Sequence, residues 1–182
     1  MLVCDEAARS GKAFVAAVGA QYRAAEYRLE FNRAAIDRAP SRHAALRLRP
    51  ADGDDLATLV RLLAGAFGES EEDVQQGMTQ MLQEPTRRHF LATLGEEPVG
   101  LLRVGAYEGY ADITGFGVLP AHRGRGYGRQ MLIDTVAMLV AEGWERLVIE
   151  VATDNQRALG LYQSCGFTVA SAYGFYTLAT GA

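Results

Sequence analysis

Val118-Leu-Pro-Ala-His-Arg-Gly-Arg-Gly-Tyr-Gly-Arg129 joins the end of an apolar strand to the start of an amphipathic helix through a basic, glycine-rich turn. The first N–H groups of a helix have no intrahelical acceptor, and the helix dipole adds positive potential there. Arg123, Arg125 and Arg129 add whole charges, and glycines at 124, 126 and 128 remove the Cβ atoms that would hold an anion away from the amides. The stretch therefore reads as a site for a phosphorylated ligand. A P-loop would need Gly-Lys-Ser/Thr where this chain has Tyr127-Gly128-Arg129, so no magnesium-binding hydroxyl is in place. A dinucleotide turn finds an acid, Glu150, at about the expected ~20-residue distance. It lacks the third glycine, because Arg129 stands where helix and strand should pack closely.

What remains is Arg-x-x-Gly-x-Gly, filled by Arg123, Gly126 and Gly128, and it resembles the coenzyme A pyrophosphate loop of the GNAT (general amine N-acetyltransferase) superfamily. The likeness continues upstream through Ala111-Asp-Ile-Thr-Gly-Phe-Gly-Val118. Downstream it continues through Asn155-Gln-Arg-Ala-Leu-Gly-Leu-Tyr-Gln-Ser-Cys-Gly-Phe167, with weaker matches from about Leu46 onward. The resemblance implies the α/β GNAT fold, a mixed, mostly antiparallel central sheet flanked by helices. It also implies acetyl-CoA as co-substrate and an amine as acceptor, either a small molecule or a peptide or protein amine. Carried over residue by residue, it gives Arg123, Gly124, Arg125, Gly126, Tyr127, Gly128 and Arg129 to the pyrophosphate, and main-chain contacts of Gly117, Val118 and Leu119 to the pantothenate arm. Asn155 touches the same arm or caps its own helix. Gly115 and Gly117, inside a strand, predict a bulge or a close backbone approach.

Periodicity orders the elements. Arg47-Leu-Arg49 reads as a strand, and Asp54 to Phe67 as a helix capped by Asp52 or Asp54. A second helix opens at Ser70, and strands follow over His89–Leu94, Pro98–Tyr107 and Ala111–Leu119. A helix from about Gly126 to Glu142 presents Met131, Leu132, Thr135, Met138 and Leu139 on one face. Arg146–Val151 is a strand, Asn155–Cys165 a helix ended by Gly166, and two short strands run through Val169 and from Phe175 to Leu178.

Direct acyl transfer from a thioester to an amine needs a base, since an ammonium has no lone pair and an alkylamine is mostly protonated near pH 7. It also needs a proton for the departing thiolate. The resemblance implies Tyr162 as the general acid. Two carboxylates compete for the base, Glu150 and Asp112, each matching a different branch of the superfamily. Desolvation by flanking Ile149 and Val151 is expected to raise the pKa of Glu150. Cys165 reads as a small packing residue rather than a nucleophile, and His89 and His122 as strand-end and loop polarity. Neither histidine has a partner at ligand spacing, so no metal is expected. The alternative to an enzyme is a catalytically idle acyl-CoA-binding or interaction module.

A net charge of −4 offers no basic face for nucleic acid. No apolar run reaches the roughly 18 residues of a membrane span, and two isolated cysteines fit a reducing cytoplasm. The expected organisation is an N-terminal extension over 1–45 and a GNAT domain over 46–182. Within the extension, Leu2-Val-Cys4, a helix from Glu6 to Gly19 with Phe14, Val15 and Val18 on one face, and a strand from Tyr22 to Phe31 repeat the order of elements found near the C-terminus. Setting Gly19 on Gly166 gives an offset of 147 residues. This suggests the worn tail of a preceding GNAT domain, as in a tandem-GNAT protein, with Ala8 opposite Asn155 and Val15 opposite Tyr162. Its apolar face predicts packing on the catalytic domain or on a second copy as a homodimer.

Overall fold

The computed structural model describes residues 1–33 and 45–178, so residues 34–44 of the expected extension lie outside the described residues. The chain forms an α/β structure of eight strands and five α-helices among the described residues, divided into two compact units. One unit takes Met1–Ile36 together with Val148–Ala182, and the other takes Asp37–Leu147.

In the second unit, β3 (Leu46–Ala51), β4 (Arg87–Leu94), β5 (Glu97–Tyr107) and β6 (Tyr110–Val118) form an antiparallel meander in chain order. The helices α2 (Leu56–Phe67) and α3 (Glu71–Met81) precede the meander, and α4 (Tyr127–Ala141) follows it. Asp52, one of the two expected caps, accepts from the Asp54 N–H and forms a reciprocal cap with Asp55 on the short turn Gly53–Asp55, while α2 itself starts without a side-chain cap. The Ser70 hydroxyl accepts from the Asp73 N–H at 3.2 Å and starts α3. Leu59, Val60, Leu62 and Ala64 of α2 close a core with Val74 and Met78 of α3 and with Leu91 and Leu101 of the sheet. The helix α4 buries Met131, Leu132, Thr135 and Leu139 as its spacing predicted; Val136 is buried where Met138 was expected.

In the first unit, β7 (Leu147–Ala152), α5 (Gln156–Ser164) and β8 (Phe167–Thr177) combine with β1 (Leu2–Asp5), α1 (Arg9–Ala17) and β2 (Gln21–Phe31). The two short C-terminal strands expected from sequence are one continuous strand, interrupted only by a bulge beside Ala170. Both edges of β2 are taken, one by β7 and one by β8, and its Leu29 is fully buried.

The offset of 147 reappears in the pairing. Moving β1 residues forward and β8 residues back by 147 turns Leu2↔Tyr176 into Ile149↔Leu29, and Asp5↔Tyr173 into Ala152↔Glu26, both of them observed pairs. The same shift carries Ala24↔Phe175 onto Ser171↔Arg28, and the pair Glu26↔Tyr173 onto itself. It places α1 on α5 end to end, Gly19 on Gly166, both at positive φ, and the bulge at Arg23 on the bulge at Ala170. This unit is thus two strand-helix-strand motifs related by a local two-fold axis through Glu26 and Tyr173. Edge strands, turns and bulges all obey it, although few side chains are identical.

Candidate active site

The loop after β6 is built by glycine conformations and by one arginine. Gly124 has φ +76° and Gly126 φ +81°, a region that favours glycine, and Gly126 is the N-cap of α4. No side chain caps this helix, so its N-terminal amides are served by no cap of the kind Ser70 gives α3. Arg123 has a role the sequence reading did not give it. Its Nε donates to the Val118 carbonyl at 2.8 Å and its Nη2 to the Ala66 carbonyl at 2.5 Å. It clasps the loop to the ends of β6 and α2. Arg125 is exposed, and Tyr127, Gly128 and Arg129 form the half-buried first turn of α4. His122, beside the loop, lies 3.4 Å from Glu97.

The expected bulge lies at Gly115 and Phe116, where the β5–β6 register shifts between Leu101 and Arg103. Gly115 takes φ +53°, and a Cβ there would sit 2.5–2.9 Å from the Arg103 guanidinium. At Gly117 a Cβ would meet the Ala66 Cβ at 2.8 Å and the Phe67 ring at 3.1 Å, so this glycine lets the end of α2 close on β6. Val118 and Leu119 are half-buried, and the Leu119 N–H donates to the Val99 carbonyl at 2.9 Å. Asp112 accepts the Gly105 N–H at 2.9 Å, a bond that a side chain at 105 would obstruct.

In the other unit, Tyr162 is 5% exposed on α5, and burial pushes its phenol up to about 12. Asn155 accepts the Ala158 N–H at 3.1 Å and is the N-cap of α5. Of its two sequence-stated roles the structure displays the cap. Glu150 differs from expectation in its surroundings. Side chains alternate along a strand, so the buried Ile149 and Val151 face away from it. Glu150 is exposed and paired with Arg28 Nη1 at 3.0 Å. Glu26, on the neighbouring β2, has its carboxyl pushed up through burial and then the charge of Glu150. Glu26, Arg28 and Glu150 share one face, since Arg28 pairs with Glu150 and Glu26 with Ala152. Sequence reading missed Glu26, because nothing along β2, which also carries the acid Glu30, sets it apart before the pairing with β7 is known.

The two motifs differ at the residues singled out from the sequence. Ala8 gives α1 no side-chain cap, Val15 stands for Tyr162, and Val3 and Phe175 stand for Glu150 and Arg28. Among the described residues no group of three His, Cys, Asp or Glu side chains is placed to hold a metal ion. No helix among them is long and apolar enough to cross a membrane. Cys4 is buried and Cys165 half-buried, and neither is in a disulfide.

The acetyltransferase (GNAT) family model matches residues 56–167, from the start of α2 to the start of β8. The chain belongs to the GNAT family. Among curated proteins it is similar to the mycothiol acetyltransferase of Kineococcus radiotolerans, with 33% identity over 139 residues. The match takes 72% of this chain but 46% of that protein, so the chain spans about half the length of that relative. Of solved structures, an acetyltransferase from Thermus thermophilus is 28% identical with TM-score 0.60, covering 73% of this chain and 97% of its own. A GCN5-related N-acetyltransferase from Sphaerobacter thermophilus is 18% identical with TM-score 0.75, covering 96% of this chain and 57% of its own. It shares the fold, and the shared part takes in nearly all of the chain.

Proposed function

We propose that this chain is an acetyl-CoA-dependent N-acetyltransferase that passes the acetyl group directly to an amine. The observation that carries the reading is the entry to α4. In a member of this family, a helix start without a side-chain cap, approached through two left-handed glycines and flanked by Arg125 and Arg129, suits a pyrophosphate. Gly124, Gly126, Tyr127, Gly128 and Arg129 hold the phosphates with Arg125, while Arg123 fixes the loop. Gly117, Val118, Leu119 and Asn155 serve the pantothenate arm.

Tyr162 protonates the departing thiolate, its raised pKa keeping it in the acid form across the working range. Glu150 takes the amine proton directly or through water, with Glu26 beside it biased toward its protonated form, and Asp112 is the second choice of base. Residues 46–182 carry the acetyltransferase domain, and β2 from the first 45 residues lies between its β7 and β8. Residues 1–45 are the tail of a worn preceding GNAT domain, a reading supported by the repeated register at an offset of 147. That tail exposes Val3, Phe14, Val18 and Tyr22, which suits packing against a second copy; sedimentation measures it. The protein works in the cytoplasm. Thiol release from acetyl-CoA across a panel of amines tests the activity, and a protein that binds acetyl-CoA yet releases no thiol with any amine is the idle module instead.

A further inference from the structure

Across three adjacent strands of the Asp37–Leu147 unit, His89 pairs with Arg103 and Arg103 with Thr114. Paired residues share a face, so the three side chains form a row. Each carries a buried polar atom without a hydrogen-bond partner among the described residues: His89 Nδ1, Arg103 Nε and Thr114 Oγ1. His89 is 3% exposed. His89 and Arg103 also converge on one residue at the end of α3. His89 Nε2 lies 3.3 Å from the Met81 carbonyl, and Arg103 Nη1 reaches the Met81 sulfur.

Arg103 is the unusual member, because its guanidinium has no ion pair among the described residues. A carboxylate would ordinarily offset the burial of such a charge. Burial and the charge of Arg87 press its pKa down, and Asp112, Glu84 and Glu69 act on it only at a distance. The strand is shaped around it, since Gly115 leaves out the side chain that would overlap the guanidinium. His89 is held neutral by burial. A carbonyl can only accept, so Nε2 carries the ring proton and Nδ1 presents a lone pair. The row therefore offers a cation, a hydroxyl and one acceptor.

We propose that Arg103, with Thr114 and His89 beside it, forms a subsite for a carboxylate carried by the acceptor amine. The proposal rests on the acetyl-transfer reading above. The carboxylate accepts from Arg103 and the Thr114 hydroxyl, and an N–H or O–H next to it on the same molecule donates to His89 Nδ1. A single arginine with the charges of Asp112 and Glu84 nearby matches a monoanion better than a phosphate dianion.

The test compares amino acids and short peptides having a free carboxylate with their carboxamides, by thiol release from acetyl-CoA in the full chain. Thermal melts with propionate alone accompany it. The carboxylate acceptors should be favoured by about ten-fold or more in kcat/KM. Arg103→Met should erase that preference, and Thr114→Val should weaken it. Propionate should raise the melting temperature of the wild type and not of Arg103→Met. If Arg103→Met fails to fold, Thr114→Val and His89→Gln carry the comparison. Equal rates for acids and amides, with no propionate effect, overturn the subsite while leaving acetyl transfer standing. No thiol release from any amine refutes the function, and a propionate shift lost in Arg103→Met would then still support the anion site.

Discussion

Gly117→Ala separates a packing role from a ligand role at a residue the family likeness gives to the coenzyme. Its φ is not positive, so alanine fits the backbone. Its Cβ, however, would lie 2.8 Å from the Ala66 Cβ, and one of the two chains must move. Overpacking of this kind costs about 1–3 kcal/mol, and the loss of glycine freedom in the unfolded chain returns about 0.4–1 kcal/mol. The balance is up to about 2.6 kcal/mol of destabilisation, centred near about 1.3 kcal/mol, or a melting temperature lower by roughly 3–5 °C at this chain length. Gly77→Ala is the matched control: it lies inside α3, and a Cβ there meets nothing within 4 Å. It should raise stability by about 0.5–1 kcal/mol. Differential scanning calorimetry without ligand reads both. If Gly117→Ala melts at or above the wild type, the close approach of α2 to β6 is not what that glycine provides.

Tyr162→Phe should lower kcat by about a hundred-fold or more and leave acetyl-CoA binding nearly unchanged, because a proton donor acts in the transition state. With the phenol pushed up to about 12, the wild-type rate should show no alkaline loss near the ordinary tyrosine value of 10. Glu150→Gln should abolish the acid limb of the pH–rate profile; a silent Glu150→Gln with an inactive Asp112→Asn reverses the order of the two bases. His89 is neutral in the fold and charges more readily when unfolded, so it contributes stability above 6.5 that is lost as pH falls through its lowered value. Urea titrations from about pH 7 to about pH 5 should therefore show a smaller loss for His89→Gln than for the wild type. Removing residues 1–44 takes away β2 from between β7 and β8 and leaves the partners of Leu29 bare, so the truncated chain should not fold. A soluble truncation with an unchanged melt contradicts that.

The order of strands and helices was legible because hydrophobic spacing and end signals such as Ser70, Asp52 and Gly166 act locally. The offset of 147 was legible from two glycines and a few apolar matches, although the symmetric register behind it depends on pairing that no single stretch displays. Contacts between distant residues were not legible. Arg123 reads as a loop cation in the sequence, but its bonds to the Val118 and Ala66 carbonyls could not be read there. The surroundings of Glu150 depend on which strand lies beside it, and β2 brings Arg28 and Glu26 from the far end of the chain. His89 read as a strand-end residue, but β4 starts two residues earlier and buries it in line with Arg103 and Thr114.

Acetyl-CoA seated at the α4 entry is measured most directly by titration calorimetry of acetyl-CoA into the wild type and into Gly126→Val. Gly126 holds φ +81°, where a β-branched residue is strained, so the variant loses the loop's path to the helix amides. Its unliganded melt reports whether the rest of the fold survives. Saturable one-to-one binding to the wild type is expected, with none to the folded variant and none of NAD to either. Equal binding of acetyl-CoA by the wild type and the folded variant, or none by the wild type, would contradict it.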